Sequence, residues 1–324
     1  NEIALARGSS LELFSLGSAG LHLTCSCRIN GKVSVLESIR LQGSELDQLV
    51  ICTEKRQLVI LRYDLTAQQI STVAIGSLMD SLSRLSEQPM LASSDPKGRA
   101  MAISVHEGLL SFVDLSDLTC TGTVTDLTAA GKIFKSSQMT PQLLDIAFLD
   151  SCHAGHPCIA SLHEGPDSGS RSLVLNSVNL SSGELMPENG VEGQASRGRQ
   201  KTPAKMLKVA ATKIVAMPAA LGGLLVLGGN SVQLFDSSLR PVSRAAGGPN
   251  EASTAVRLNS DSRWAIGGSK GDLYVLFVEE AGCSLLVQCI GLASPARSLA
   301  ALSADHVFVA SAIADSQLLR LETG

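Results

Sequence analysis

Aromatic side chains are scarce in this chain of 324 residues, since Phe, Trp and Tyr together make up 3% of it. Trp264 is the single tryptophan, whereas Val, Leu, Ile and Ala are plentiful. Large rings therefore cannot dominate the interior. We expect a core built from many small aliphatic contacts.

Long apolar runs are also missing, although the mean hydropathy of +0.22 is high for a soluble chain. The best candidate, 214–227, is interrupted by Pro218, Gly222 and Gly223. It is also shorter than the ~20 apolar residues that a spanning helix needs. No membrane span is predicted, and no secretory signal is visible at the start of the chain.

A large excess of charge of one sign is also missing, since the formal net charge is only −4. This value argues against a globally cationic nucleic-acid binder. The eight cysteines are dispersed through apolar segments of a long chain, which favours buried, reduced thiols in the cytosol or nucleus. They are Cys25, Cys27, Cys52, Cys120, Cys152, Cys158, Cys283 and Cys289.

What the chain does contain is a recurring hairpin: an apolar strand, a tight turn, and a second strand of alternating pattern. The turns carry glycines such as Gly8, Gly108, Gly229 and Gly271. The spacing of the units is close to the ~40–50 residues of a propeller blade. The units begin at Asn1, Gln48, Gly98, Pro157, Gly222, Ser262 and Asp305.

These hairpins predict an all-β fold, a seven-bladed β-propeller that occupies residues 1–324 as a single domain. Strand-like stretches between the hairpins would complete the blades, and no long amphipathic helix is present. The first hairpin has no inner strand before it and the last has no outer strand after it. We therefore expect incomplete first and last blades, with further sequence on both sides in the native protein. A pair of β-sandwiches is the alternative fold.

Two long segments interrupt the repeat. One, 126–141, precedes the fourth unit. The other, 183–208, is expected to be a mobile surface loop. It carries five basic residues that could touch phosphate, although five charges in a flexible loop more often belong to a solvated insertion. These residues are Arg197, Arg199, Lys201, Lys205 and Lys208.

A metal site is the first chemical hypothesis to consider, because Cys152, His153, His156 and Cys158 are all potential zinc ligands. They crowd into one short segment, with no second ligand pair to complete a tetrahedral site. We interpret the segment as a loop that connects two strands. No metal and no cofactor is predicted.

Catalytic motifs are equally weak. The tripeptide His-Glu-Gly occurs at His106 and again at His163, where the hairpins turn, and turn formation accounts for both copies. The glycine-rich stretch that begins at Gly222 lacks the Lys-Ser/Thr of a phosphate loop. No nucleophile elbow is present. The sequence predicts that the chain is not an enzyme.

Four segments resemble a known family: LLDIAFLDSCHAGHPCIASLHE, KIVAMPAALGGLLVLGGNSVQLFD, DSRWAIGGSKGDLYVLFVEE and HVFVASAIADSQLLRL. They are similar to the first propeller of the damaged-DNA-binding protein large subunit, the adaptor of cullin-4 ubiquitin ligases. The same superfamily contains the cleavage-and-polyadenylation specificity factor large subunit and splicing factor 3b subunit 3. One departure is Ala314, which stands where a glycine usually precedes Asp-Ser-Gln.

The resemblance implies a protein-interaction scaffold in a ubiquitin ligase complex for DNA damage and repair, in the nucleus and also in the cytoplasm. Its partners would be WD40-type substrate receptors, the third propeller of the same chain and, through the rest of the protein, cullin-4. Direct nucleic-acid contact has only weak support from the sequence, and no membrane is expected as a partner. A scaffold role in pre-mRNA cleavage, polyadenylation or splicing is the main alternative, and a propeller enzyme is the least favoured one.

The partner surface is expected on the loops that join the innermost strand of each blade to the second strand. These loops are 43–47, 95–97, 151–157, 219–221, 260–263 and 303–305. Within them we select a small set of polar and charged residues as partner-binding candidates. The candidates are Ser260, Asp261, Arg263, Ser303, Asp305 and His306.

Overall fold

The computed structural model describes residues 2–118, 123–137, 142–150, 155–165, 167, 169–187, 204–258, 262–279 and 284–322. Within these ranges every regular element is a β-strand. Over the same part of the chain, no helix has the length and apolar character needed to cross a membrane.

The first three sheets are built mainly from strands that follow one another in sequence, with β11 (Thr125–Asp126) and β12 (Ile133–Ser137) added at the outer edges of the second and third sheets. The first sheet consists of β1 (Glu2–Arg7), β2 (Ser10–Gly17) and β3 (Gly20–Arg28). The second contains β4 (Val33–Ile39), β5 (Gln48–Thr53), β6 (Gln57–Asp64), β7 (Gln69–Ser77) and, parallel to β7, β11 (Thr125–Asp126). The third contains β8 (Leu91–Ser94), β9 (Ala100–His106), β10 (Leu109–Asp114) and β12 (Ile133–Ser137).

Four further sheets complete the fold. The fourth contains β13 (Leu143–Leu149), β14 (Cys158–Glu164), β15 (Arg171–Asn179) and β16 (Glu184–Pro187), with β17 (Lys205–Leu207) also paired to β15. The fifth contains β18 (Ala211–Ala216), β19 (Leu224–Gly228), β20 (Ser231–Phe235) and β21 (Pro241–Ala246). The sixth contains β22 (Ala252–Arg257), β23 (Arg263–Gly268), β24 (Asp272–Glu279) and β25 (Ser284–Leu292), and the seventh contains β26 (Ser298–Ala301), β27 (His306–Ala310) and β28 (Gln317–Arg320).

The seven sheets form a seven-bladed β-propeller, as the hairpin repeat predicts. Each predicted hairpin is a pair of neighbouring strands: β1–β2, β5–β6, β9–β10, β14–β15, β19–β20, β23–β24 and β27–β28. The first and last sheets have three strands each, so the expectation of incomplete first and last blades is also confirmed. The segment 214–227, rejected above as a membrane span, forms the end of β18, a turn and most of β19.

The chain divides into two compact units. One comprises Asn1–Thr140, Ala154–Cys158 and Ser177–Met186, and the other comprises Pro141–His153, Ile159–Asn176 and Pro187–Gly324. In the first unit β4 contacts β8, and in the second unit β13, β18, β22 and β26 contact one another in that order. The first strands of successive sheets therefore lie side by side within each unit, as the innermost strands of a propeller do.

The core is aliphatic, as the composition predicts. Between the second and third sheets it includes Val50, Ile60, Met101 and Ile103, all fully buried. Between the fifth and sixth sheets the aliphatic side chains surround Trp264, the largest fully buried residue.

Both expected insertions contain strands that the sequence did not indicate. Within 126–141, residues Ile133–Ser137 form β12, the fourth strand of the third sheet. The loop expected over 183–208 contains β16 near its start and β17 near its end, while residues 188–203 lie outside the described ones. The hydrophobic pattern of these strands is short and broken by Lys135, Pro187 and Lys205, which hid them.

Two glycines at positive φ provide a matched test of close packing. Gly8 has φ 61° and no atom near the position of a Cβ, whereas Gly98 has φ 69° and a Cβ there would overlap the carbonyl oxygen of Arg40. We expect Gly8→Ala to lower the free energy of unfolding by about 1–2 kcal/mol through backbone strain alone. Gly98→Ala adds overpacking, which costs about 1–3 kcal/mol more. Urea unfolding followed by circular dichroism measures both, and equal losses would contradict the close approach.

Candidate protein interface

Several of the loops that join the first strand of a sheet to its second strand contact the corresponding loop of a neighbouring sheet. We call all loops in this position the inner loops. In the first unit, Gly98 packs against the backbone of Arg40, and Arg99 Nη1 donates a hydrogen bond of 2.7 Å to the carbonyl oxygen of Gly155. In the second unit, the amide of Ala219 donates to Asp150 Oδ2 at 3.0 Å. Within each unit these contacts agree with the prediction that such loops share one end of the sheets.

Ion pairs and hydrogen bonds hold the inner loops of the first unit in place. Asp95 is 2% exposed, and its carboxylate accepts hydrogen bonds from Arg99 Nε at 2.8 Å and Arg99 Nη2 at 3.0 Å. Such a bidentate pair is stronger and more directional than a single contact. In the neighbouring loop Arg40 Nε lies 2.7 Å from Asp47 Oδ1, and the buried amide of Gln48 donates to Ser44 Oγ at 2.8 Å. These loops are therefore ordered before any partner binds.

Three of the predicted partner-binding residues form one cluster in the inner loop of the seventh sheet. Ser303 Oγ donates to Asp305 Oδ1 at 2.6 Å, and His306 Nδ1 lies 2.9 Å from the same oxygen. Hydrogen bonds from Ser303 and His306 hold the pKa of Asp305 below its usual value. Arg320 Nε lies 3.6 Å from Asp305 Oδ2. Asp305 is thus a partly exposed carboxylate that stays ionised at neutral pH.

The Ser303, Asp305 and His306 side chains do not have the geometry of a hydrolase triad. Ser303 Oγ lies 3.0 Å from His306 Nδ1, the same nitrogen that Asp305 contacts. In a catalytic triad the serine and the carboxylate must meet opposite ring nitrogens, so that the histidine can accept the serine proton while it is held in place. The cluster is therefore suited to fixing the loop and presenting charge.

Arg263, the fourth described member of the predicted set, lies elsewhere, at the start of β23. Its guanidinium carbon is 5.3 Å from the centre of the Phe277 ring, which is within the range of a cation–π contact. Ser260 and Asp261 lie outside the described residues. The contacts of Arg263 and of the Ser303–His306 cluster are thus made with different neighbours.

Neither His-Glu-Gly histidine lies in a turn, which corrects the prediction for them. His106 ends β9 and His163 lies within β14, and both are about 1% exposed. In the first copy the turn itself consists of Glu107 and Gly108, which has φ 68°. His163 Nε2 lies 2.9 Å from Ser161 Oγ, whereas both ring nitrogens of His106 are buried without a hydrogen-bond partner. Burial therefore lowers the pKa of His106, with Lys135 acting in the same direction.

One buried ion pair was not predicted from the sequence. Asp145 on β13 accepts a hydrogen bond from Lys213 Nζ and one from the backbone amide of Ile214, both at 2.8 Å, so it joins β13 to β18. Burial raises the pKa of Asp145, and the Lys213 ammonium acts against that shift. The available signal was a single carboxylate inside the apolar run LLDIAFL, since such a residue requires a partner.

Of the four potential zinc ligands in the segment interpreted above as a connecting loop, two lie within the described residues. Cys158 is buried at the start of β14 and His156 is exposed, while Cys152 and His153 lie outside the described residues. No group of three His, Cys, Asp or Glu side chains that could hold a metal ion occurs in the part of the chain that the structure describes. The prediction of buried thiols holds for Cys52 and Cys158 but is wrong for Cys289, which is exposed, and for Cys25 and Cys27, which are half-buried.

Comparison with known proteins identifies the family. A model of the first β-propeller of the RSE1/DDB1/CPSF1 proteins matches residues 1–324. The chain belongs to this family. It is 25% identical to DNA damage-binding protein 1 of Drosophila melanogaster over 99% of its own length. It is 24% identical to DNA damage-binding protein 1b of Arabidopsis thaliana and to DNA damage-binding protein 1 of Solanum lycopersicum, over 98% of its length in each case.

The chain spans 27% of the length of each of these relatives. Family membership confirms the predicted resemblance and places the chain in a family of scaffold and adaptor proteins.

Proposed function

We propose that this chain is a non-enzymatic interaction domain that recruits substrate receptors to a ubiquitin ligase acting in DNA damage repair. The observation that carries the proposal is the family match over residues 1–324, together with relatives named for damaged-DNA binding. In this proposal the chain supplies a binding surface for WD40-type receptors. Cullin-4 would bind through other parts of the longer protein, and a third propeller of the same polypeptide would share the receptor.

The inner loops support this function because their polar contacts hold them in one arrangement. The Arg99–Asp95 pair and the Ser303–Asp305–His306 cluster each use several hydrogen bonds to do so. A surface that is ordered before binding loses little conformational entropy when the partner docks. Such a domain acts by holding its partner proteins in position, and it recognises them through complementary charge and shape.

The second candidate is a scaffold role in pre-mRNA cleavage, polyadenylation or splicing. One observation favours it: the matching family model covers RSE1 and CPSF1 as well as DDB1. Identities of 24–25% to the DNA damage-binding proteins favour the ubiquitin ligase branch. Direct contact with nucleic acid has weak support, since the net charge is −4.

A charge reversal in the seventh inner loop tests the proposal. Asp305→Lys in the full-length protein is expected to reduce capture of the receptor about tenfold or more. The substitution reverses the charge that the inner loop of the seventh sheet presents to the receptor, so the proposed electrostatic complementarity is lost. Asp315→Lys is the matched control, since it makes the same charge change in the exposed loop at the other end of β27. Captured partners are identified and quantified by mass spectrometry.

The identity of the captured proteins separates the two candidates. Cullin-4 and WD40-type receptors would support the ligase adaptor. Polyadenylation or splicing subunits would move the chain to the second candidate. Equal receptor capture by wild type, Asp305→Lys and Asp315→Lys would show that this loop is not the receptor surface.

A further inference from the structure

Buried polar atoms without a hydrogen-bond partner are concentrated in three residues. Among the described residues five buried side-chain nitrogen or oxygen atoms make no hydrogen bond, and four of them belong to Arg56, His106 and Ser111. The four are Arg56 Nε, both ring nitrogens of His106 and Ser111 Oγ. An unpaired buried polar atom costs free energy, so each one requires an explanation. If the three residues lie together, they indicate a place where a ligand binds.

His106 and Ser111 lie on the same face of the third sheet. In the register of β9 and β10, His106 lies opposite Leu109 and Ser111 lies opposite Ile103. Residues opposite each other on neighbouring strands share a face of the sheet, and so do alternate residues of one strand. Lys135 of β12 lies opposite Ser111 and belongs to this face too. Since Ile103 is part of the core between the second and third sheets, the face is turned towards the second sheet.

Arg56 reaches the same region from the second sheet. It lies in the turn between β5 and β6, and its carbonyl oxygen accepts a hydrogen bond of 2.9 Å from the amide of Leu78. Further along the chain, Leu85 forms a β-bridge with His106. The segment 78–86 therefore connects the turn that contains Arg56 to the end of β9. All of these residues belong to the first compact unit.

The charges around the His106 ring are mainly positive. Burial lowers the pKa of His106, and the Lys135 and Arg56 cations act in the same direction, so both lie near the ring. Asp80 acts against them, but its carboxylate is already paired. Asp80 Oδ2 lies 3.0 Å from Lys135 Nζ and accepts a hydrogen bond of 2.8 Å from Ser83 Oγ. Two cations and one anion leave one positive charge in excess.

We propose that Arg56, His106 and Ser111 bind one small monovalent anion, of the size of chloride, between the second and third sheets. Arg56 Nε is only a donor, and the histidine ring and the serine hydroxyl each offer a donor as well. An acceptor without hydrogens therefore satisfies all three residues at once. Its negative charge balances the excess positive charge of the region, which strengthens these hydrogen bonds.

Burial and charge favour this ligand over others. His106 is 1% exposed and Ser111 is fully buried, so only a ligand of very few atoms can contact both. A metal cation would be repelled by Arg56 and Lys135, and the described residues include no group of three His, Cys, Asp or Glu side chains to hold one. The site lies at the opposite end of β9 from the inner loop that precedes this strand. Its ligand therefore does not depend on the proposed receptor surface.

Anomalous diffraction tests the proposal on the wild-type protein. Bromide has the same charge as chloride and a strong anomalous signal. Crystals of the full-length protein soaked in sodium bromide are expected to show an anomalous peak within hydrogen-bonding distance of Arg56 Nε and of a ring nitrogen of His106. Density at this position without an anomalous signal would identify a water molecule and would overturn the proposal. The absence of any density there would overturn it equally.

Hydrogen exchange of the full-length protein measures binding in solution. Amides of the segment 78–86 are expected to exchange about threefold more slowly in sodium chloride than in sodium gluconate of equal ionic strength. The bound chloride holds the two sheets together, whereas gluconate is too large for the site. Arg56→Gln is expected to abolish this difference. Lys55→Gln is the matched control, since Lys55 is an exposed cation in the same turn, and it should respond to chloride as wild type does.

Each protein is compared with itself in the two salts, so a lower stability of one variant does not affect the result. A general effect of the salts would slow exchange equally in both variants. A wild type that exchanges at the same rate in chloride and gluconate contradicts an anion site that is occupied in solution. An Arg56→Gln variant that responds as Lys55→Gln does would contradict the assignment of Arg56 to the site.

Discussion

Replacing Trp264 with alanine is expected to lower the free energy of unfolding by about 3–5 kcal/mol, as large-to-small changes of buried aromatic residues do. Trp264 lies on β23 and is 1% exposed. It packs in the core shared by the fifth and sixth sheets, whose members include Met217, Leu227 and Leu276. The side chains around it are mainly aliphatic and are already packed against one another, so they can fill the cavity only in part.

The loss is measured by chemical denaturation followed by far-ultraviolet circular dichroism, because the substitution removes the only tryptophan. Trp264→Phe keeps an aromatic ring at this position, so it should lose clearly less. Val242→Ala on β21 is the surface control, since Val242 is 44% exposed, and it should change stability by no more than about 0.5 kcal/mol. If Trp264→Ala were as stable as Val242→Ala, the core between the two sheets would not depend on this side chain.

The sequence predicted the fold well because the hairpins carry strong local signals. A turn at positive φ favours glycine, and Gly8, Gly108, Gly229 and Gly271 mark four of the hairpin turns directly. The apolar strands β9 and β19 are almost entirely buried, which makes them conspicuous in the sequence. The outer strands were harder to recognise, since they are half exposed and their residues are mixed in polarity.

The candidate interface was less predictable, for a physical reason. Strand alternation indicates which residues lie in loops, but it does not indicate which loop residues bond to each other. Ser303, Asp305 and His306 were selected from one loop, and the structure places them in a single hydrogen-bonded cluster. The contact between Arg99 and Gly155 joins residues far apart in sequence, and no local pattern records it.

The same limit applies to Asp145 and Lys213, which the structure brings within 2.8 Å although 67 residues separate them in the chain. In the sequence, Asp145 is only a charged residue that interrupts an apolar strand, and Lys213 has the pattern of an ordinary surface residue. A buried carboxylate is stable only with a partner. The sequence around Asp145 therefore showed that a partner was needed, but it did not show that the partner is Lys213.

Asp145→Ala is expected to lower the free energy of unfolding by about 3–5 kcal/mol, the cost of breaking a buried ion pair on one side. The substitution leaves the Lys213 ammonium, which is 29% exposed, without its counterion, and it leaves the Ile214 amide without an acceptor. Asp145→Asn should lose less, because its amide oxygen still accepts from Ile214. The same denaturation measurement compares the two variants.

The decisive comparison is the double variant Asp145→Val/Lys213→Met, which replaces both charges with apolar side chains closer to them in size. Removing both charges also removes the cost of burying them, so this variant should be clearly more stable than Asp145→Ala and should fall short of wild type by the cost of the unpaired Ile214 amide, about 1–3 kcal/mol. That outcome would mean that the pair aligns β13 with β18 more than it stabilises the fold. A double variant as unstable as Asp145→Ala would instead show that the ion pair itself contributes the stability, and that the backbone bond to Ile214 is indispensable to the contact between the two strands.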